Sequence, residues 1–119
     1  MSTPAEEVVQ RQVEAYSARD LASFLACYAP DVRIENLPGG DLVADSREAM
    51  EPIYRSLFAR VPDLACEIEN RIVHGDFVVD HEKVRGVPGK EALRAVAIYH
   101  VTDGAIRRVW FLREAQPPK

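Results

Sequence analysis

The chain has 119 residues, 47% of them hydrophobic, and a formal net charge of −4. A chain of this length buries roughly two thirds of its unfolded surface in one core, so a single domain without linkers is expected. The acidic balance excludes nucleic-acid binding through a concentrated basic face, and no apolar run is long enough to span a bilayer, which leaves small molecules or proteins as partners.

The opening MSTPAEEVVQ carries acidic residues where a signal peptide has its basic end, so a cytoplasmic protein is expected. Val9, Gln12, Val13 and Tyr16 recur at helical spacing with Arg11 and Glu14 opposite, which predicts an amphipathic helix over 4–17 with Pro4 in its first turn. Asp20 is placed to cap a second helix. Its stripe of Leu21, Phe24, Leu25 and Tyr28 runs to Ala29-Pro30, because the residue before a proline avoids helical angles. Residues 31–37 alternate like a strand, which Pro38-Gly39-Gly40 ends. Asp45 with Glu48 reads as a capping box for a third helix running to Arg60. Met50, Ile53, Tyr54, Leu57 and Phe58 form its buried stripe, and Pro52 marks a kink or its true start.

Beyond Pro62 the period changes to two. His74-Gly75-Asp76, Pro88-Gly89-Lys90 and Asp103-Gly104 divide 63–113 into four β-rich runs joined as hairpins, and the QPPK end is expected to fray. Three helices before a long antiparallel meander define the α+β class, with the helices on one sheet face and the other face free for a partner. Cys27 falls in a helical pattern and Cys66 in a strand pattern, without CxxC spacing, as expected of reduced, buried thiols.

The stretch VVQRQVEAYSARDLASFLACYAPDVRIENLPGG (8–40), the helix around Ile53-Tyr54 and the final AVAIYHVTDGAIRRVWF together resemble the ketosteroid isomerases. More broadly they resemble the nuclear-transport-factor-2-like, SnoaL-like superfamily. The resemblance implies one such domain over 1–119, a cone-like α+β barrel in which three N-terminal helices pack on a strongly curved, mainly antiparallel sheet. It also implies an apolar pocket inside the cone and, often, a homodimer through the outer sheet face.

By the same resemblance, Gln12 and Tyr99 match the isomerases' two oxyanion donors, a tyrosine and a protonated aspartate. Tyr28 and Tyr54 match aromatic positions that in some isomerases carry tyrosines linked to the oxyanion tyrosine. Asn36 stands where the isomerases have the aspartate that shuttles the proton, and an amide takes no proton at physiological pH. Removing a positioned base forfeits on the order of 10²–10⁴ in rate, so little steroid Δ5-to-Δ4 isomerase activity is expected.

A replacement carboxylate is suggested by strand register. With Pro88-Gly89 at the centre of a hairpin, Tyr99 falls opposite Val78, Ala97 opposite Asp80 and Ala95 opposite Glu82. If Tyr99 faces the pocket, Asp80 and Glu82 share its face, with room beside the two alanines. Burial and mutual repulsion then raise a carboxyl pKa toward neutrality. A hairpin about Gly75-Asp76 gives the other reading, in which Asp80 lies opposite Arg71 and Glu82 opposite Glu69 on a solvated face.

Adjacent strand residues point to opposite faces, so Asp80-His81-Glu82 does not surround a metal ion. Nor is there a phosphate-binding glycine loop, a nucleophile elbow or an HExxH motif. Trp110 reads as a core or dimer-interface residue. Arg107, Arg108 and Arg113 make the last strand basic, which reads first as an edge defended against aggregation and second as a clamp for an acidic ligand.

Two functions are consistent with these residues. In one, Gln12 and Tyr99 hold the oxygen of a small apolar carbonyl or hydroxyl compound while Asp80 or Glu82 moves a proton, without a cofactor, in an isomerase, cyclase or hydrolase. In the other, Gln12, Tyr28, Asn36 and Tyr54 orient a ligand without chemistry, or the domain serves dimerisation alone.

Overall fold

The computed structural model describes residues 3–113, so the QPPK end lies outside the described residues. Helix α1 (Pro4–Ala18) begins where the Thr3 hydroxyl accepts from the Glu6 amide at 3.1 Å, and it ends at Arg19 in a left-handed conformation. Helix α2 (Leu21–Leu25) is capped by Asp20 as expected but is shorter than its apolar stripe, because Tyr28 and Ala29 belong to strand β1 (Tyr28–Leu37). The chain is drawn into the sheet there by a bond from the Ile106 amide to the Cys27 carbonyl at 2.9 Å.

Strand β2 (Asp41–Ala44) pairs antiparallel with β1 across the Pro38-Gly39-Gly40 turn, where Gly40 takes a φ of 79° that only glycine adopts freely. The sequence reading lacks this strand, since four residues are too few to display an alternation. Helix α3 (Arg47–Arg60) is capped by Ser46 rather than Asp45: the Ser46 hydroxyl accepts from the Ala49 amide at 3.0 Å, and the helix continues through Pro52.

The remaining strands, β3 (Ala65–His74), β4 (Phe77–Arg85), β5 (Leu93–Thr102) and β6 (Ala105–Arg113), form the expected meander. The sheet order is β2-β1-β6-β5-β4-β3, with β1 and β6 parallel and the other pairs antiparallel. The sheet is therefore mixed and open rather than closed into a barrel. Its flanks are β2 and β3. Strand β6 lies between β1 and β5, so its arginines do not defend an edge. Arg107 instead pairs with Asp31 at 2.6 Å and Arg108 with Glu35 at 2.8 Å.

The β4–β5 register is the one expected, with Val78 opposite Tyr99, Asp80 opposite Ala97 and Glu82 opposite Ala95, although pairing gives way to a loop beyond Val84 and Leu93. The loop stays centred on Pro88-Gly89, which preserves the register. Between β3 and β4 a bulge at Glu69 breaks the other expected register: Arg71 does face Asp80, but Glu82 faces Ile68. Glu69 is left to pair with Arg94 at 2.9 Å. The bulge supplies one extra residue, and that residue reverses which β3 side chains point inward.

The helices cover one sheet face, and the core between them is knitted by Phe24, whose ring lies 4.7 Å from Tyr54, 5.1 Å from Tyr28 and 5.6 Å from Phe58. Two ties fix α1 against β3 and β4 on either side of Gln12. Ahead of it, Arg71 donates to Gln10 at 2.9 Å and pairs with Glu6 at 3.6 Å. Behind it, the Ser17 hydroxyl accepts from the Cys66 amide at 3.0 Å and Arg19 donates to the Leu64 carbonyl at 2.8 Å.

Candidate functional site

Three cross-strand rows of the inner sheet face define the site. Val78, Tyr99, Val109 and Ile34 form one, Asp80, Ala97, Phe111 and Asn36 the next, and Glu82, Ala95 and Arg113 the third. In the third row the side chain shrinks to a methyl at Ala95, and above that gap lies a cavity of about 190 Å³. It is lined from α1 by Gln12, Val13 and Tyr16, from α3 by Ile53, Tyr54 and Leu57, and from the sheet by Tyr28, Cys66, Glu82, Tyr99, Phe111 and Arg113, among others. The exposed Ile53 and Arg113 mark its opening.

A hydrogen-bonded chain crosses the deep end. The Tyr28 hydroxyl donates to Gln12 Oε1 at 3.0 Å, and the Tyr99 hydroxyl lies 2.9 Å from Glu82 Oε2 and 3.4 Å from the same Gln12 oxygen. Tyr99 has one proton to give. An ionised Glu82 takes it, whereas a protonated Glu82 releases it toward Gln12. With its oxygen committed to two tyrosines, Gln12 has its amide nitrogen left as a donor, and the hydroxyls of Tyr16 and Tyr54 have no hydrogen-bond partner among the described residues.

Glu82 is only 7% exposed. Burial, reinforced by the negative charge of Asp80, pushes its carboxyl up from an ordinary 4.5 to about 7, against the opposing pull of the Tyr99 hydrogen bond and the positive charges of Arg113 and Arg71. Burial likewise pushes the Tyr54 hydroxyl up to about 12 and those of Tyr28 and Tyr99 well above their ordinary range, so all three are protonated donors at neutral pH. Burial also raises the Cys66 thiol, which leaves it a neutral wall residue rather than a thiolate.

The expected residues separate into two groups. Gln12, Tyr28, Tyr54, Glu82 and Tyr99 come together around the cavity. Asp80 does not line it: fully buried, it takes a two-pronged ion pair from Arg71 at 2.7 and 2.9 Å and belongs to the tie on α1. Asn36 does not line it either, and its side-chain oxygen accepts from Arg113 Nε at 3.3 Å. His81 is exposed on the outer face, as its strand parity requires. Tyr16, read first as a core residue, and Arg113, read first as an edge guard and second as a clamp for an acidic ligand, also line the cavity. Both were readable: Tyr16 is four residues from Gln12 on one helix face, and Arg113 shares strand parity with Val109 and Phe111.

Residues 9–109 match the SnoaL-like domain family, and the chain belongs to it. No curated protein matches it in sequence. Among solved structures, a cystatin-fold protein from Novosphingobium aromaticivorans superposes with a TM-score of 0.82 at 26% identity over 95% of this chain and 100% of that one. A proposed ketosteroid isomerase from Kribbella flavida gives 0.79 at 20% identity, covering 98% of this chain and 82% of that one. A proposed polyketide cyclase from Sinorhizobium meliloti gives 0.74 at 22%, covering 88% and 93%. At identities of 20% and 22% the last two show a shared fold.

Because the folded carboxyl of Glu82 holds its proton to about 7 and the unfolded one releases it near 4.5, the folded state binds the extra proton between those values. Stability contributed by protonated Glu82 is therefore present below about 4.5 and is lost as pH rises through 7. Glu82→Gln should remove this loss. In urea denaturation the variant should gain on the wild type between pH 5 and 8, by on the order of 2 kcal/mol, and a constant difference across that range would contradict the burial of an ionisable group there.

Proposed function

We propose that the cavity performs cofactor-independent acid–base chemistry on a small, mostly apolar carbonyl compound, with Glu82 as the proton-transfer group. The observation that carries this reading is the buried Glu82 carboxyl, poised near neutrality and bonded to Tyr99 in the wall of a cavity. Ionised Glu82 accepts a proton from the carbon beside the carbonyl. The C–H electron pair becomes the new C=C bond, and the carbonyl π pair moves onto oxygen. The Gln12 amide and the free tyrosine hydroxyls are the donors available to that enolate. In a substrate with a C=C bond next to that carbon, return of the proton to the far end of the resulting dienolate completes an isomerisation. Attack of the enolate carbon on a second carbonyl of the same molecule, whose oxygen takes up the proton held by Glu82, completes a cyclisation.

The neighbours described as a proposed ketosteroid isomerase and a proposed polyketide cyclase are compatible with either outcome. Size favours a compact ligand, because about 190 Å³ falls below the roughly 300–1,000 Å³ of sites that enclose drug-sized molecules. A four-ring steroid would protrude. With Asn36 an amide outside the cavity lining, the chemistry is assigned to Glu82 alone, and Asp80 acts by holding α1 and by its charge on Glu82.

Exchange of the α-hydrogens of 2-tetralone into D2O, followed by NMR, tests the assignment. The wild type should exceed the buffer rate, and Glu82→Gln should lose on the order of 10²–10⁴ of the excess. Full exchange in the variant contradicts the role of Glu82, and binding without any protein-dependent exchange favours a non-catalytic carrier.

The outer sheet face supports a homodimer as the working form. Ile72, 57% exposed, lies in a row with Val79, Ile98 and Trp110, and Leu112, 47% exposed, lies beside Val96, which together make a continuous apolar patch. Sedimentation at micromolar concentration should give twice the chain mass, and Ile72→Glu should halve it. A monomeric wild type refutes the dimer.

A further inference from the structure

The sheet carries seven arginines, at 33, 71, 85, 94, 107, 108 and 113, and among the described residues every one except Arg113 pairs with a carboxylate. Arg113 is instead laid over the Phe111 ring, with its guanidinium carbon 4.7 Å from the ring centroid, and its Nε donates to the neutral Asn36 oxygen at 3.3 Å. It stands at the opening of the cavity. A cation placed there by an aromatic face and an amide keeps its full charge, whereas a carboxylate at position 36 would cancel it.

Arg113 and Glu82 also occupy one cross-strand row, on either side of Ala95. Two strand spacings separate their backbones, about 9–10 Å, and the methyl of Ala95 leaves the space between them open. A guest lying along this row would reach Glu82 with one end and the guanidinium with the other, while Phe111 and Leu57 flank it with apolar surface.

We infer that the cavity selects monoanionic substrates, small apolar carbonyl compounds bearing a carboxylate, with Arg113 as the specificity-determining cation at the mouth and Asn36 as its positioning residue. This rests on the reading of the cavity as a substrate site and names the class of molecule it takes. The amide at position 36 acquires a physical reason: it steers Arg113 without neutralising it. Arg113 also has the right reach, since its charge is felt by Glu82, Tyr16 and Tyr54 in the interior.

The test is calorimetric binding of 6-acetyl-2-naphthoate and its neutral methyl ester, rigid probes with a ketone at one end and a carboxylate or ester at the other. The wild type should prefer the acid by about tenfold, the worth of one charge-assisted hydrogen bond. Arg113→Gln and Asn36→Asp should each bring the ratio of acid to ester affinity to about one, and Arg113→Lys should retain most of the preference. Equal binding of acid and ester by the wild type, no binding of either, or a preference that survives Arg113→Gln would each overturn the inference. The two readings fail separately: a wild type that prefers the acid while Glu82→Gln keeps full 2-tetralone exchange retains the selectivity and loses only the proton-transfer role of Glu82.

Discussion

Everything at this site depends on a carboxyl group kept out of water. Glu82 sits where the sheet narrows to an alanine side chain and the helices close over the gap, and its one hydrogen-bond partner among the described residues is the Tyr99 hydroxyl. A carboxylate so placed costs free energy to ionise, and that cost moves its titration into the range where it can both take and give a proton. The cavity and the titration are two results of one packing arrangement.

That arrangement needs α1 held at a fixed height above β4 and β5. Asp80 serves this purpose two residues from Glu82, on the same face and in the same strand, yet with the opposite fate. Arg71 satisfies both of its oxygens and extends the tie to Gln10 and Glu6 on the helix. Two adjacent inward carboxylates thus divide their work. One is matched by a guanidinium and anchors the helix, and the other is matched only by a tyrosine and remains free to titrate.

Much of this was legible in the sequence, for identifiable reasons. The helical stripes, the glycine turns and the centre of the β4–β5 loop fix the α+β class and the register that places Glu82 and Tyr99 together, because these signals are local and periodic. The bulge at Glu69, the extra strand β2 and the parallel pairing of β1 with β6 were not legible. They arise from long-range pairing that leaves no pattern in a short segment. The missed parallel pairing had the widest effect, since it moved the arginine-rich strand from the edge to the middle of the sheet and turned Arg113 from a presumed guard into a residue of the cavity mouth. Asp80 and Asn36 show the remaining limit: two hairpin registers left the face of Asp80 open, and the neighbours that claim the pair, Arg71 and Arg113, are set by tertiary packing.

Membership of the SnoaL-like family describes the frame, while the chemistry depends on which polar groups the frame brings into the hollow. The most direct measurement is the titration of Glu82 itself, by NMR of a carboxyl-labelled protein. The midpoint should fall near 7 and move higher in Tyr99→Phe, since the hydroxyl that favours the charged form has gone. A midpoint in the ordinary range near 4.5, indifferent to Tyr99, would mean that water reaches the carboxylate and that the hollow does not tune it.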